Sequence, residues 1–130
     1  MIDKKKVLAV ILARGGSKGI PKKNIVQVNH HPLISYSIAA AKNSKYIDKI
    51  IVSSDSKEII NKSLEYGIDN FVKRPKFLAS DKATSVDALQ HAVIESERIL
   101  ENKFDYIIEL PCVSPLRDHH DVNAVIEKLH

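Results

Sequence analysis

Between Leu12 and Asn24 the chain reads Leu-Ala-Arg-Gly-Gly-Ser-Lys-Gly-Ile-Pro-Lys-Lys-Asn, with three glycines, four cations (Arg14, Lys18, Lys22, Lys23) and no acid. Residues of these types gather phosphate. Glycines let backbone N–H groups come close to an oxyanion, and the cations neutralise it. The stretch directly follows the apolar run Val7-Leu-Ala-Val-Ile-Leu12. A strand ending in a glycine-rich basic loop brings those N–H groups and charges to one point. Neither of the commoner phosphate motifs fits: Lys18 precedes Gly19, and no Ser or Thr follows a Gly-Lys pair. A P-loop NTPase and a dinucleotide dehydrogenase are therefore disfavoured.

The charge supports a small phosphorylated ligand. Of the net +4 of this 130-residue chain, the loop supplies all four charges, and the other sixteen Lys and Arg balance sixteen Asp and Glu. A near-neutral body with one cationic loop does not resemble a nucleic-acid surface. The single cysteine, Cys112, excludes an internal disulfide framework and fits a reducing compartment. No apolar run reaches membrane-spanning length, and the run before Arg14 is too short for a signal peptide. These features imply a cytoplasmic protein with no nucleic-acid or membrane partner.

The elements that must position the loop follow from periodicity. Val7–Ala13 reads as a strand buried on both faces. Residues 32–41 read as a helix with Leu33, Ser37, Ile38 and Ala41 inward. Residues 47–53 form the next strand. Residues 56–66 form a helix with Ile59, Ile60, Ser63 and Leu64 inward, stopped by Gly67. Phe71-Val72 is a short strand. Residues 85–100 form a long helix with Val86, Leu89, His91, Ala92, Val93, Ser96 and Leu100 available to its buried stripe. Tyr106–Leu110 is a strand. Residues 118–129 form a helix with Asp118 as N-cap and Val122, Val125, Ile126 and Leu129 on one face. The alternation predicts an α/β fold: a three-layer α/β/α Rossmann-like parallel sheet in one nucleotide-binding domain, 1–130. In such sheets ligands sit at the carboxyl ends of the strands, which gathers the loop, Ser53-Ser-Asp55 and residues 111–117 at one edge. The end of the chain just after an apolar helix position implies that this domain is truncated at its C-terminal end.

Four ordered segments carry a resemblance. Ala9-Val-Ile-Leu-Ala-Arg-Gly-Gly-Ser-Lys-Gly-Ile-Pro-Lys-Lys-Asn-Ile25, Ile50-Ile-Val-Ser-Ser-Asp55, Lys73-Arg-Pro-Lys-Phe-Leu-Ala-Ser-Asp81 and Ser114-Pro-Leu-Arg117 together resemble the N-terminal portion of the acylneuraminate cytidylyltransferases, the CMP-sialic acid synthetase family. The resemblance implies a nucleotide-diphospho-sugar transferase type of fold. It also implies attack of a sugar hydroxyl on the α-phosphate of CTP, with pyrophosphate leaving and a CMP-sugar formed from a nine-carbon acidic sugar. Such chemistry depends on positioning and on neutralising charge on phosphate oxygens. By resemblance Arg14, Lys18 and Lys23 contact the triphosphate and stabilise departing pyrophosphate, while Lys22 is a solvated neighbour. Leu12, Ala13, Gly15, Asn24, Arg74, Ala79, Thr84 and Ser85 complete the nucleotide site, with Ser80 beside the base, and Arg117 reaches the sugar carboxylate or a phosphate. Mg2+ is implied, with ligands beyond residue 130, and so is a homodimer of the full-length protein.

Several residues keep plainer readings beside these. Asn24 serves equally well to end the loop, Thr84 or Ser85 to cap a helix, Asp55 to form a turn rather than to bind ribose or water, and Arg117 to pin the next helix through Asp118 or Asp121. A surface salt bridge is the plain alternative for Arg74. His91 reads as a satisfied core histidine. His30-His31 and His119-His120 read as loop and helix-start residues, with no ligand spacing for zinc. Glu109 is the odd carboxylate on an apolar strand. Where the family reads Leu-Gln-Pro-Thr, this chain has Leu110-Pro-Cys-Val113, which leaves open a sister enzyme using GTP or another sugar acid. The third expectation is a catalytically incomplete nucleotide-binding fragment.

Overall fold

The computed structural model describes residues 1–15, 27–28, 30–79, 84–110 and 119–130. Its elements are β1 (Val7–Leu12), β2 (Gln27–Val28), β3 (His31–Pro32), α1 (Leu33–Asn43), β4 (Lys49–Ser54), α2 (Lys57–Glu65), β5 (Asn70–Lys73), a 3₁₀ turn (Lys76–Leu78), α3 (Ser85–Leu100), β6 (Tyr106–Leu110) and α4 (His119–Leu129). The strand β1 is apolar at every position, because it lies in the middle of a parallel sheet ordered β5-β4-β1-β6 and is covered on both faces. Leu8 to Leu12 pair with Lys49 to Ser53, and Val7 to Ile11 pair with Tyr106 to Leu110.

Alternation along β1 divides the core in two. Val7, Ala9 and Ile11 face α1, α2 and α4 through Ile34, Ile38, Ile59, Val122 and Ile126. Leu8 and Val10 face α3 through Ala92, joined by Ile51 and Val72. This is the three-layer arrangement expected from the sequence. The crossovers through α1 and α2 step in one direction across the sheet. The crossover through α3 steps back past β4 and β1 to β6, so α3 takes the other face. The order reverses between β1 and β6, directly at the carboxyl end of β1.

Small differences from the sequence reading have local causes. The first helix begins after Pro32, which is its N-cap. An unexpected antiparallel hairpin joins β2 and β3, and His30 at φ 71° supplies its left-handed residue. Gly67 at φ 90° ends α2 as expected. Leu64 is exposed rather than inward. At roughly 100° per residue it falls about 40° outside the arc of Ile59, Ser63 and Ile60. Val86 is likewise exposed, whereas Ala88, Ala92 and Ser96 form the buried stripe of α3. On α4 only Val122 and Ile126 are buried; Val125 and Leu129 are exposed. Val125 lines an open groove of about 330 Å³ beside β6, with Ile108, Leu110 and Val122. Among the described residues nothing pairs with the far edge of β6. Asp118 lies outside the described residues. Among the described residues no helix is long and apolar enough to cross a membrane.

Candidate functional site

The register of β1 against β4 sets the ends of both strands side by side. Leu12 pairs with Ser53, and the Ala13 N–H donates to the Ser53 carbonyl at 2.9 Å. Beyond this point β1 becomes the basic loop and β4 becomes Ser54-Asp55-Ser56. Parallel topology also brings the N-termini of the helices to this edge, where their dipoles add positive potential.

Each side chain of the run Ser53-Ser-Asp-Ser56 has a defined partner. The buried Ser53 hydroxyl accepts from Nε of Arg74 at 3.1 Å, and the Ser53 carbonyl accepts from Nη2 at 3.0 Å. Ser54 Oγ accepts the Ser56 N–H at 3.0 Å, which tightens the turn. Ser56 Oγ accepts the Ile59 N–H at 3.3 Å and so caps α2. Between them, Asp55 Oδ1 accepts the Gly15 N–H at 2.8 Å.

Arg74 is 5% exposed, so the surface salt bridge is not its role. Its N–H donates to the Ser54 carbonyl at 2.8 Å, which extends the β4–β5 pairing by one residue. Burial pushes its guanidinium below its ordinary value; the Asp55 carboxylate pulls it back up, and Arg14 pushes it down. Two cations and one carboxylate thus share one local field at the carboxyl edge. Among the described residues no carboxylate forms an ion pair with Arg74, and its two contacts to Ser53 are to neutral oxygens. A buried guanidinium held this way favours an anion nearby.

The other expected residues divide clearly. Leu12 and Arg14 are half-buried, and Ala13 is buried. Gly15 sits here with its N–H directed to Asp55, not outward to a ligand. A Cβ on it would stand 3.0 Å from the Ser56 Cβ, so any side chain here would press on the turn. Ala79 ends the 3₁₀ turn after Arg74-Pro75, and its N–H donates to the Lys76 carbonyl at 3.0 Å. Thr84 caps α3 by accepting the Asp87 N–H at 3.1 Å, so its hydroxyl is engaged locally; Ser85 opens the helix and is exposed. Lys18, Lys22, Lys23, Asn24, Ser80, Pro111, Cys112, Val113 and Arg117 lie outside the described residues. His91 differs from its expectation: its Nδ1 is buried and has no hydrogen-bond partner among the described residues. Glu109 is exposed on β6.

Magnesium needs several oxygen ligands, usually one or two carboxylates with water and phosphate. Among the described residues no three His, Cys, Asp or Glu side chains converge to hold a metal ion. Asp55, the carboxylate of this edge, is already committed to Gly15. The described residues do not by themselves fit that ion.

The sequence reading put Ser53 and Ser54 at this edge, but the hydrogen bonds by which Ser53, Ser54 and Ser56 build it escaped that reading. Their signal was present: a run of short hydrogen-bonding side chains directly after an apolar strand.

A family model described as cytidylyltransferase matches residues 8–130. The chain belongs to the cytidylyltransferase family. It is 42% identical over 121 residues to a post-translational flagellin modification protein B of Campylobacter coli, covering 93% of this chain and 52% of that protein. It is 38% identical over 109 residues to a CMP-N,N'-diacetyllegionaminic acid synthase of Campylobacter jejuni, covering 84% and 46%. It is 40% identical over 126 residues to a pseudaminic acid cytidylyltransferase of Campylobacter jejuni, covering 95% and 53%. The chain thus spans about half the length of these curated relatives. Among solved structures, a CMP:2-keto-3-deoxy-manno-octonic acid synthetase complexed with CTP superposes with a TM-score of 0.77 at 21% identity, over 95% of this chain and 47% of that one. That likeness supports the Rossmann-like α/β fold.

Proposed function

We propose that this chain is the nucleotide-binding part of an enzyme that transfers CMP from CTP to a nine-carbon acidic sugar, releasing pyrophosphate. The observation that carries the reading is the convergence of Arg14, Gly15, Asp55 and Arg74 at the carboxyl edge, where β1 opens into the basic loop. In the reaction the sugar hydroxyl oxygen bonds to the α-phosphorus as its proton passes to solvent, and the bond from that phosphorus to the pyrophosphate oxygen breaks. Charge gathers on the departing oxygens. Arg14, Lys18 and Lys23 are the cations assigned to neutralise it, and Arg74 and Ala79 line the nucleoside side. Arg117 is assigned to the acidic group of the sugar.

Legionaminic and pseudaminic acids are the sugars in the names of two relatives that match almost equally well, so identity does not choose between them. Magnesium belongs to this reading as the resemblance implies, with its ligands beyond residue 130. A cytoplasmic homodimer acting on CTP and the sugar acid, with no nucleic-acid or membrane partner, completes the proposal.

The test is calorimetric titration of the full-length protein with CTP, GTP, UTP and ATP, followed by synthesis assays with CTP and a panel of nine-carbon sugar acids. CTP is expected to bind tightest, and CMP-sugar is expected with stoichiometric pyrophosphate. Tighter GTP binding, or no turnover with any of these sugars, overturns the reading.

A further inference from the structure

We propose that Asp55 is a positioning residue for the basic loop, acting through the Gly15 peptide. The proposal rests on the nucleotide reading above. A carboxylate beside a site meant for phosphates is electrostatically unfavourable, because it repels the anion that Arg14 and Arg74 attract. Its field also favours the charged Arg74 guanidinium, and its geometric part is read from the contact it makes to the Gly15 peptide.

The geometry supports this. Gly15 is the first loop residue after Arg14, and its N–H is held by Asp55 Oδ1 at 2.8 Å. The carboxylate itself sits on a fixed base. Behind it, the Ala13 N–H and the Ser53 carbonyl join the two strand ends at 2.9 Å. Ahead of it, the Ser54–Ser56 turn and the Ser56 cap lead into α2. The Gly15 Cα is pressed so closely to this turn that a side chain there would crowd Ser56 at 3.0 Å. The chain consequently leaves β1 at Arg14-Gly15 in a direction set by β4. Arg14, one residue earlier, takes its direction from the same peptide. Correct placement of cations before the ligand arrives is what phosphoryl transfer requires of a protein.

Two substitutions separate the hydrogen bond from the charge. Asp55→Asn keeps an oxygen acceptor and removes the charge; Asp55→Ala removes both. In the full-length protein, Asp55→Asn is expected to bind CTP within about twofold of wild type. Asp55→Ala is expected to bind CTP about tenfold more weakly, the size of one lost hydrogen bond. Affinity for cytidine, which has no phosphate for the loop to hold, is expected to change less than twofold in both. The Gly15 amide should exchange faster with solvent only in Asp55→Ala. CTP binding to Asp55→Ala equal to or tighter than wild type would make Asp55 a charge and nothing more. Equal losses in both variants, or a parallel loss of cytidine, would make it a direct ligand. Either result overturns the proposal. If wild type binds no CTP, the nucleotide reading itself fails, while the exchange measurement still reports whether Asp55 holds the peptide.

Discussion

Ser53→Ala removes one of the two acceptors that a buried guanidinium has among the described residues. The hydroxyl accepts from Arg74 Nε at 3.1 Å, while the Ser53 carbonyl, being backbone, still accepts from Nη2 at 3.0 Å. Ser53 is fully buried and Arg74 is nearly so, so little water is at hand to replace the lost partner. A hydrogen bond to a charged group contributes about 1.5–3 kcal/mol, and a stranded buried donor costs about 1–3 kcal/mol. The expected loss is therefore about 2 kcal/mol, a large share of the roughly 5–15 kcal/mol that holds a domain together. With a urea slope of about 2 kcal/mol per M, the unfolding midpoint falls by about 1 M at unchanged slope. Ser54→Ala is the control. It also removes a buried hydroxyl, but one that accepts from a neutral N–H of Ser56 at 3.0 Å, so about 1 kcal/mol is expected. A Ser53→Ala midpoint within about 0.2 M of wild type would show that the guanidinium does not depend on this acceptor. Equal effects of the two variants would show that its charge adds nothing.

Two further outcomes test other parts of the structure. On α4, Ile126→Ala should cost about 2–5 kcal/mol, because Ile126 is fully buried against the α1 face of the sheet. Val125→Ala, at an exposed position of the same helix, should stay within about 0.5 kcal/mol; reversal of that order in denaturant unfolding would place the helix in another register. The Tyr46 phenol donates to a Glu127 carboxylate oxygen at 2.6 Å, which raises it above its ordinary value. Its contribution to stability is thus fully present below the unfolded phenol value of about 10, and is lost as pH rises through the higher folded value. The difference between spectrophotometric titrations of wild type and Tyr46→Phe should show that phenol ionising later than a free tyrosine; ionisation at or below the free value would contradict the contact.

Much of the fold was legible because it depends on local pattern. The continuous apolar run Val7–Leu12 gave a doubly covered strand, and Tyr106–Leu110 was read to the residue. Helix faces were less legible. Val125 fits an apolar stripe by spacing, yet it lies beside the edge of β6 that no strand among the described residues pairs with, and no count along the helix reveals which side of a stripe meets the sheet. The site shows the same division. The resemblance of its segment assigned Arg74 to the nucleotide site, but its burial and its hydrogen bonds to Ser53 needed the β4–β5 register.

The sequence by itself determined the alternation of strands and helices, the carboxyl-edge position of the glycine-rich basic loop, and the likeness to the cytidylyltransferases. These follow from residue types and short spacings, which are written in chain order. Only the tertiary structure decided that Gly15 turns its N–H to Asp55, forty positions away in the numbering, and that Ser53 carries a buried arginine. Short polar side chains such as Asp and Ser can pair with their own turn, with a ligand or with a neighbouring strand. Which of these they do is fixed by strand register, a property of two distant segments together.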